Sequence, residues 1–358
     1  MKTLFDPVRI GGLALKNRII RSATHERAYD EQGRFAPILG PIYKKLAEGG
    51  VGAIVTGMMG AGPSSRLMPR TVDANGKTAV AGLRELAGTV HPYGCKLLVQ
   101  LSHCGQRSTV TENDGPAIGP VDTVQPSGKP VRAMTTADIA RVAAGFADAS
   151  ARCREAGVDG VEIHGAHGYG LSQFLSPYFN KRRDEYGGDM AGRSRIIFEV
   201  YDAIRAKVGT DYPVWIKISG RELVDDSSTW DEILWLCAEL EKRGINAIEL
   251  SGGIGEDDKS KSAQFVKDEE DEGTFAPEAL ALAAALAVPV VSVCGYRTPA
   301  VINGWLNKGN IEGISLCRPL IAEPDLVNRW ANGDTAKARC ISCNKCYKPK
   351  AGFGCQVF

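Results

Sequence analysis

The chain has 358 residues, 44% hydrophobic and 24% charged, enough apolar material for a large buried core and too little charge for a disordered polymer. A formal net charge of +1 offers no bulk field to attract nucleic acid or an anionic membrane, so neither is an expected partner. The start, MKTLFDPVRIGGLALKNR, lacks the basic, apolar and small-residue zones of a secretory signal, and no run reaches the roughly 18 apolar residues of a membrane span; the expected location is the cytoplasm.

Along the chain, short β-branched runs alternate with longer helical patterns. Strands are expected at Asn17–Ser22, Val51–Gly57, Lys96–Leu101, Gly160–His164, Pro213–Ser219, Ala247–Ser251, Pro289–Val293 and Gly313–Cys317. Several are continuous apolar runs, as parallel strands covered by helices require. The clearest helices are Pro41–Glu48, Thr136–Ala156, Ala191–Val208, Trp230–Arg243, Ala276–Ala287 and Pro299–Lys308. Thr136 with Asp138 reads as a helix start, and Gly157, Gly209 and Gly244 sit where helices should stop.

Eight strands each followed by a helix predict an α/β fold, a closed TIM (β/α)8 barrel of about 250 residues plus insertions. An open doubly wound sheet would carry a Gly-rich turn after its first strand, and KNRIIRSATHER has none. No second cluster of strands stands out that would need its own sheet. The expected division is a barrel over residues 1–332 and a Cys-rich tail over residues 333–358.

In a barrel, residues at the ends of the strands form the catalytic face. Here they are polar: Ser22, Ala23, Thr24 and His25; Gln100 with His103; His164 with His167; Lys217; Ser251; Gly295; Arg318. The segment GVEIHGAHGYGLSQFLSPYFNKRRDEYGGDMAGRS puts His164, His167 and Tyr169 in one loop. Two His at this spacing can bind a metal, but no carboxylate or thiol stands near in sequence to complete a site. A pair of hydrogen-bond donors polarising a carbonyl or holding an anion is simpler chemistry, and a phenol beside them can give a proton. A purely structural role for the loop histidines is the alternative.

That segment, with NRIIRSATHE, LVQLSHCGQ, VWIKIS, CGY and CRPLIAEPDL in order over residues 1–332, resembles the Old Yellow Enzyme family of FMN-dependent ene-reductases and NADH:flavin oxidoreductases. The resemblance implies FMN as cofactor and NAD(P)H as reductant. It implies that Ser22, Ala23 and Thr24 lie beside the flavin, that Gln100 meets its pyrimidine ring, and that Lys217 stands near N1 and O2, where a cation favours negative charge on the reduced ring. Gly295, Tyr296, Cys317 and Arg318 would hold the phosphate, Cys317 standing where relatives have Gly. His164 and His167 would bind the carbonyl oxygen of an enone or related electrophilic alkene, and Tyr169 would protonate Cα after hydride reaches Cβ. Asn180, Arg182, Asp184, Gly187, Gly188 and Arg193 read as supports for the loop after the fourth strand.

Six of the ten cysteines, Cys95, Cys104, Cys153, Cys237, Cys294 and Cys317, are scattered and read as small buried hydrophobes. The other four, Cys340, Cys343, Cys346 and Cys355, form a C-x₂-C-x₂-C-x₈-C array with the character of a [4Fe–4S] or Zn²⁺ site. CISCN resembles the cluster motif of the dienoyl-CoA reductase and trimethylamine dehydrogenase branch, whose later spacings are longer. Those relatives continue into nucleotide-binding domains, so any such electron-transfer partner is expected to be a separate protein or to be absent.

Three functions follow. The first is an NAD(P)H-dependent reductase of activated C=C bonds. The second is an amine-dehydrogenase-type or dienoyl-CoA-reductase-like enzyme that passes electrons through a tail cluster to a partner. The third is a non-catalytic metal-binding barrel. Assembly as a homo-oligomer is compatible with each.

Overall fold

The computed structural model describes residues 1–27, 30, 35–256, 261, 266–347 and 353–358. Eight parallel strands succeed one another around an axis: β1 (Ile19–Arg21), β2 (Ala53–Val55), β3 (Lys96–Ser102), β4 (Gly160–Gly165), β5 (Val214–Ser219), β6 (Ala247–Ser251), β7 (Val290–Val293) and β8 (Ile311–Leu316). Each pairs with its sequence neighbour, and β8 returns to β1 with Leu316 opposite Arg21. The sheet is closed into the expected barrel, which leaves its eight strands without an open edge.

Around it lie α1 (Leu39–Glu48), α2 (Ala79–Val90), α3 (Thr136–Glu155), α4 (Met190–Val208), α5 (Trp230–Lys242), α6 (Ala276–Ala285) and α7 (Pro299–Lys308), with two short helices, Arg318–Ala322 and Leu326–Ala331, after β8. All six named helices form. α3 starts at Thr136 as expected, and Thr135 caps it, exchanging hydrogen bonds with Asp138 in a capping box. Gly157 and Gly209 follow their helices with φ of +80° and +71°, which a residue bearing Cβ rarely adopts. A small three-stranded sheet, Ala117–Gly119, Pro130–Ala133 and Thr123–Val124, corrects the reading of a single sheet. Its strands are two to four residues long, too short to show a period.

The barrel strands obey a period of two. In β5, Val214, Ile216 and Ile218 face the helices in the large outer core, while Trp215 points to the axis with Ile20, Ala53, Val55, Leu98, Ala247 and Val291. The lower end of the axis is sealed by an antiparallel hairpin, Val8–Ile10 with Leu13–Leu15, whose Ile10, Leu13 and Leu15 join the same inner cluster. Trp215 Nε1 donates to Gly11 O at 3.4 Å, and a Cβ on Gly11 would lie 2.3 Å from that nitrogen. The bottom of the barrel is therefore a dry plug, and the next inward layer above it is polar. Among the described residues no helix is long and apolar enough to cross a membrane.

Candidate active site

The inward positions above the plug are Gln100, Glu162, Lys217 and Glu249, none more than 2% exposed. They meet because the ladder sets Glu162 opposite Gln100 and Lys217 opposite Glu249. Lys217 Nζ lies 3.0 Å from Glu249 Oε2 and 3.7 Å from Glu162 Oε2. Gln100 Nε2 donates to Glu162 Oε2 at 2.6 Å, and Ser22 Oγ donates to Glu249 Oε1 at 2.9 Å. Burial drives the Glu162 carboxyl well above the ordinary range, and Lys217 offsets this only in part. Burial acts on Glu249 in the same sense, but Lys217 and its hydrogen-bond partners bring that group below its ordinary value.

Above this layer the barrel opens into a cavity of roughly 710 Å³. Ser22, Ala23, Thr24, Gln100, Lys217, Gly295, Tyr296, Cys317 and Arg318 all line it, although they come from five different strand ends. His167 and Tyr169 line it as well. His164 is buried at 3% exposure beside them, its ring 5.1 Å from that of Tyr169 and 5.3 Å from that of His167.

The loop geometry is held by named bonds. His167 takes φ of +64°, and its backbone N–H donates to Ser219 Oγ at 3.1 Å. Its Nε2 lies 2.7 Å from Ser251 Oγ. Arg107 donates to His167 O at 2.8 Å and Ile254 O at 2.6 Å, pairs with Glu256, and sets its guanidinium 5.4 Å from the Tyr169 ring centre. Burial keeps both imidazoles neutral, His164 well below its ordinary pKa and His167 down to about 3. Burial also pushes the Tyr169 phenol up to about 12, so it carries its proton at neutral pH. His164 Nδ1 is buried without a hydrogen-bond partner among the described residues. Among those residues no group of three metal-ligating side chains converges, so the two histidines have no third ligand to make a metal site.

At the opposite end, Gly295 has φ of +87°, and a Cβ there would come within 2.9 Å of Val266 Cγ2. Cys317 Sγ is 3.0 Å from Thr24 Oγ1. Arg318 Nη1 donates to Asn344 Oδ1 at 2.7 Å and lies 3.5 Å from Ser342 O, so the tail is folded against this end. These residues fit a flavin mononucleotide: a cation and amide at one end, a Cβ-free backbone bend at the other, and an unpartnered imidazole beside the space between.

Cys95, Cys104, Cys153 and Cys237 are buried as expected. Cys294 and Cys317 are instead half-exposed, because they stand at the ends of β7 and β8 and line the cavity. Cys340 and Cys346 line the cavity too, and together with Cys343 and Cys355 they border an adjoining space of roughly 20 Å³. The four thiols are of the right kind for a metal and share one small pocket, but no three converge at ligand distance.

Glu162 and Glu249 escaped the sequence reading, as did Arg107. The signal for the glutamates was a charge inside otherwise apolar strands, VEIH and IELS, at the inward phase of the alternation. His103, read as part of the rim, is a core residue: Nε2 bonds Pro63 O at 2.8 Å and Nδ1 accepts from Gly105 N at 3.0 Å. Arg182 and Arg193 bind Pro120 O, Met134 O, Leu175 O and Gly188 O around the loop after β4, with Arg182 also paired to Asp184.

Comparison with known proteins adds the family. A model of the NADH:flavin oxidoreductase / NADH oxidase family matches residues 3–336. A metal reductase of Desulforamulus reducens is 35% identical over 354 residues, covering 96% of this chain and 51% of that protein. An NADH oxidase of Thermoanaerobacter brockii is 31% identical over 345 residues, covering 95% and 52%. The chain thus spans about half the length of these relatives. A 2-naphthoyl-CoA reductase structure superposes with a TM-score of 0.85 at 24% identity, over 94% of this chain and 53% of that one, and so shares the fold. The motifs along residues 1–332 therefore pointed correctly, and the chain belongs to the NADH:flavin oxidoreductase / NADH oxidase family.

Proposed function

We propose that this chain is an FMN-dependent oxidoreductase that reduces activated C=C bonds of α,β-unsaturated carbonyl-type substrates at the expense of NAD(P)H. The observation that carries the reading is the meeting of two neutral imidazoles and a protonated phenol at the mouth of the cavity that Gln100 and Lys217 line from below. FMN, when bound, supplies the hydride. Ser22, Ala23, Thr24, Gln100 and Lys217 would hold its ring, and Gly295, Tyr296, Cys317 and Arg318 its phosphate. His164 and His167 present N–H groups to the substrate carbonyl, and being neutral they stabilise developing oxyanion charge by hydrogen bonding. Tyr169 supplies the proton to Cα. The test is an anaerobic titration of the yellow protein, first with NADH and NADPH, then with cyclohexenone. A protein that binds FMN but passes no hydride to the enone would refute the reading.

A second reading, electron flow through a cluster on the tail to a partner protein, is favoured by one observation: Cys340, Cys343, Cys346 and Cys355 border the same small space beside the Arg318 end of the cavity. Iron, sulfide and zinc analysis decides it. Stoichiometric iron with slow NAD(P)H oxidation supports this second reading, and a metal-free tail removes it.

A further inference from the structure

The polar layer contains one lysine and two carboxyls, sealed below by the apolar plug. We infer that Glu162 and Glu249 hold a single proton between them, carried on Glu162, so that Lys217 and Glu249 form a neutral ion pair inside the barrel. The geometry points to this division. Glu249 is the better-compensated group, with Lys217 Nζ at 3.0 Å and the Ser22 hydroxyl at 2.9 Å. Glu162 is 3.7 Å from the same ammonium and receives one hydrogen bond from Gln100. Each carboxyl has one buried oxygen without a hydrogen-bond partner among the described residues, Oε1 on Glu162 and Oε2 on Glu249, but only the latter has the ammonium at 3.0 Å. With both carboxyls ionised the layer would carry one uncompensated negative charge out of reach of water, which costs more than binding a proton at neutral pH. The charged and titratable groups around the pair are Lys217 from β5, His164 above Glu162 on β4, His167 in the loop beyond it, and Cys317 past β8. Both histidines are neutral, so Lys217 is the one cation among them.

The charge count matters for the cofactor. On the FMN reading above, on which this second part rests, a layer with both glutamates ionised would set a net negative charge beneath the flavin's pyrimidine end and oppose its reduction. One retained proton removes that charge and makes Glu162 a positioning residue that leaves Lys217 serving the ring. The experiment is infrared spectroscopy of the protein as purified, with E162Q and E249Q alongside. At about pH 8.5, above the value of about 7 to which burial pushes Glu222, wild type should keep a deuterium-sensitive carbonyl band of a protonated carboxyl. Each single variant should lose it, because the remaining carboxyl becomes the partner of Lys217. The midpoint potential of bound flavin should be the same in E162Q as in wild type, since a neutral amide replaces a neutral acid. Absence of the band from wild type overturns the inference without any variant, as does an upward shift of midpoint potential in E162Q. A protein that binds no FMN defeats the functional reading alone, because the infrared band can still be read from it.

Discussion

His167 Nε2 lies 2.7 Å from the hydroxyl of Ser251, so the end of β6 fixes the ring of a loop that leaves β4. With its backbone N–H bonded to Ser219 as well, His167 is oriented by the two strands that follow its own. Loss of one such bond at a ring that must aim at a carbonyl is expected to cost about 1.4 kcal/mol of transition-state stabilisation, near tenfold in kcat/KM. Ser251→Ala should show that loss with FMN content unchanged, and Ser251→Thr should recover most of it. Steady-state kinetics with an enone checks both, and an unchanged kcat/KM in the alanine variant would remove His167 from the reacting centre.

Tyr169 should act in only one half of the reaction. Tyr169→Phe is expected to slow transfer to the alkene by roughly 10²–10⁴ while leaving reduction by nicotinamide untouched. Because burial pushes the phenol up to about 12, the wild-type oxidative rate should stay level through neutral pH and fall only as the phenol ionises in strong alkali. Stopped-flow measurement of the two half-reactions across pH separates these effects. Equal losses in both halves would count against the assignment.

Four of the five histidines are held neutral by burial: His25 and His103 down to about 4, His167 to about 3, and His164 well below its ordinary value. In the unfolded chain each binds a proton near pH 6.5, so below that pH the unfolded state holds more protons than the folded one. Stability must then fall as pH drops from about 6.5 toward 4. Thermal melts over this window should show Tm falling before the carboxylates titrate. His103→Gln, which keeps a donor but cannot charge, should flatten part of that slope; a Tm independent of pH between about 6.5 and 4 would contradict the neutral assignment.

Trp215 fills the barrel axis at 1% exposure and packs on the hairpin that seals it. Trp215→Ala should cost about 3–5 kcal/mol, because neighbouring Ala53 and Ala247 are too small to close the gap. Gly11→Ala should also destabilise, through both its φ of +52° and the contact of its new Cβ with the indole nitrogen. Denaturant unfolding measures both, and a loss below about 1 kcal/mol for Trp215→Ala would show that the plug is not the packed unit described.

The strands and most helices were legible because each buries a continuous apolar run or stripe. α2, AVAGLRELAGTV, was not, since alanines and glycines dilute its buried face of Leu83, Leu86, Ala87 and Val90. The rim of the site was legible as polarity at strand ends, but not the partnerships. Glu162 and Glu249 are 87 residues apart by number and share Lys217 only because β4, β5 and β6 lie side by side in a particular register. His103 misled for the converse reason: its two ring nitrogens are spent on Pro63 and Gly105, which sequence proximity to Gln100 does not reveal.

The hairpin at the bottom has a consequence for the order of events in time. It makes the barrel a blind well with its cavity at one face, so on the proposed function the reductant and the alkene must share one doorway above the same catalytic floor. They then take turns rather than meet. Double-reciprocal plots should run parallel, and either reactant in excess should slow the other by occupying the doorway.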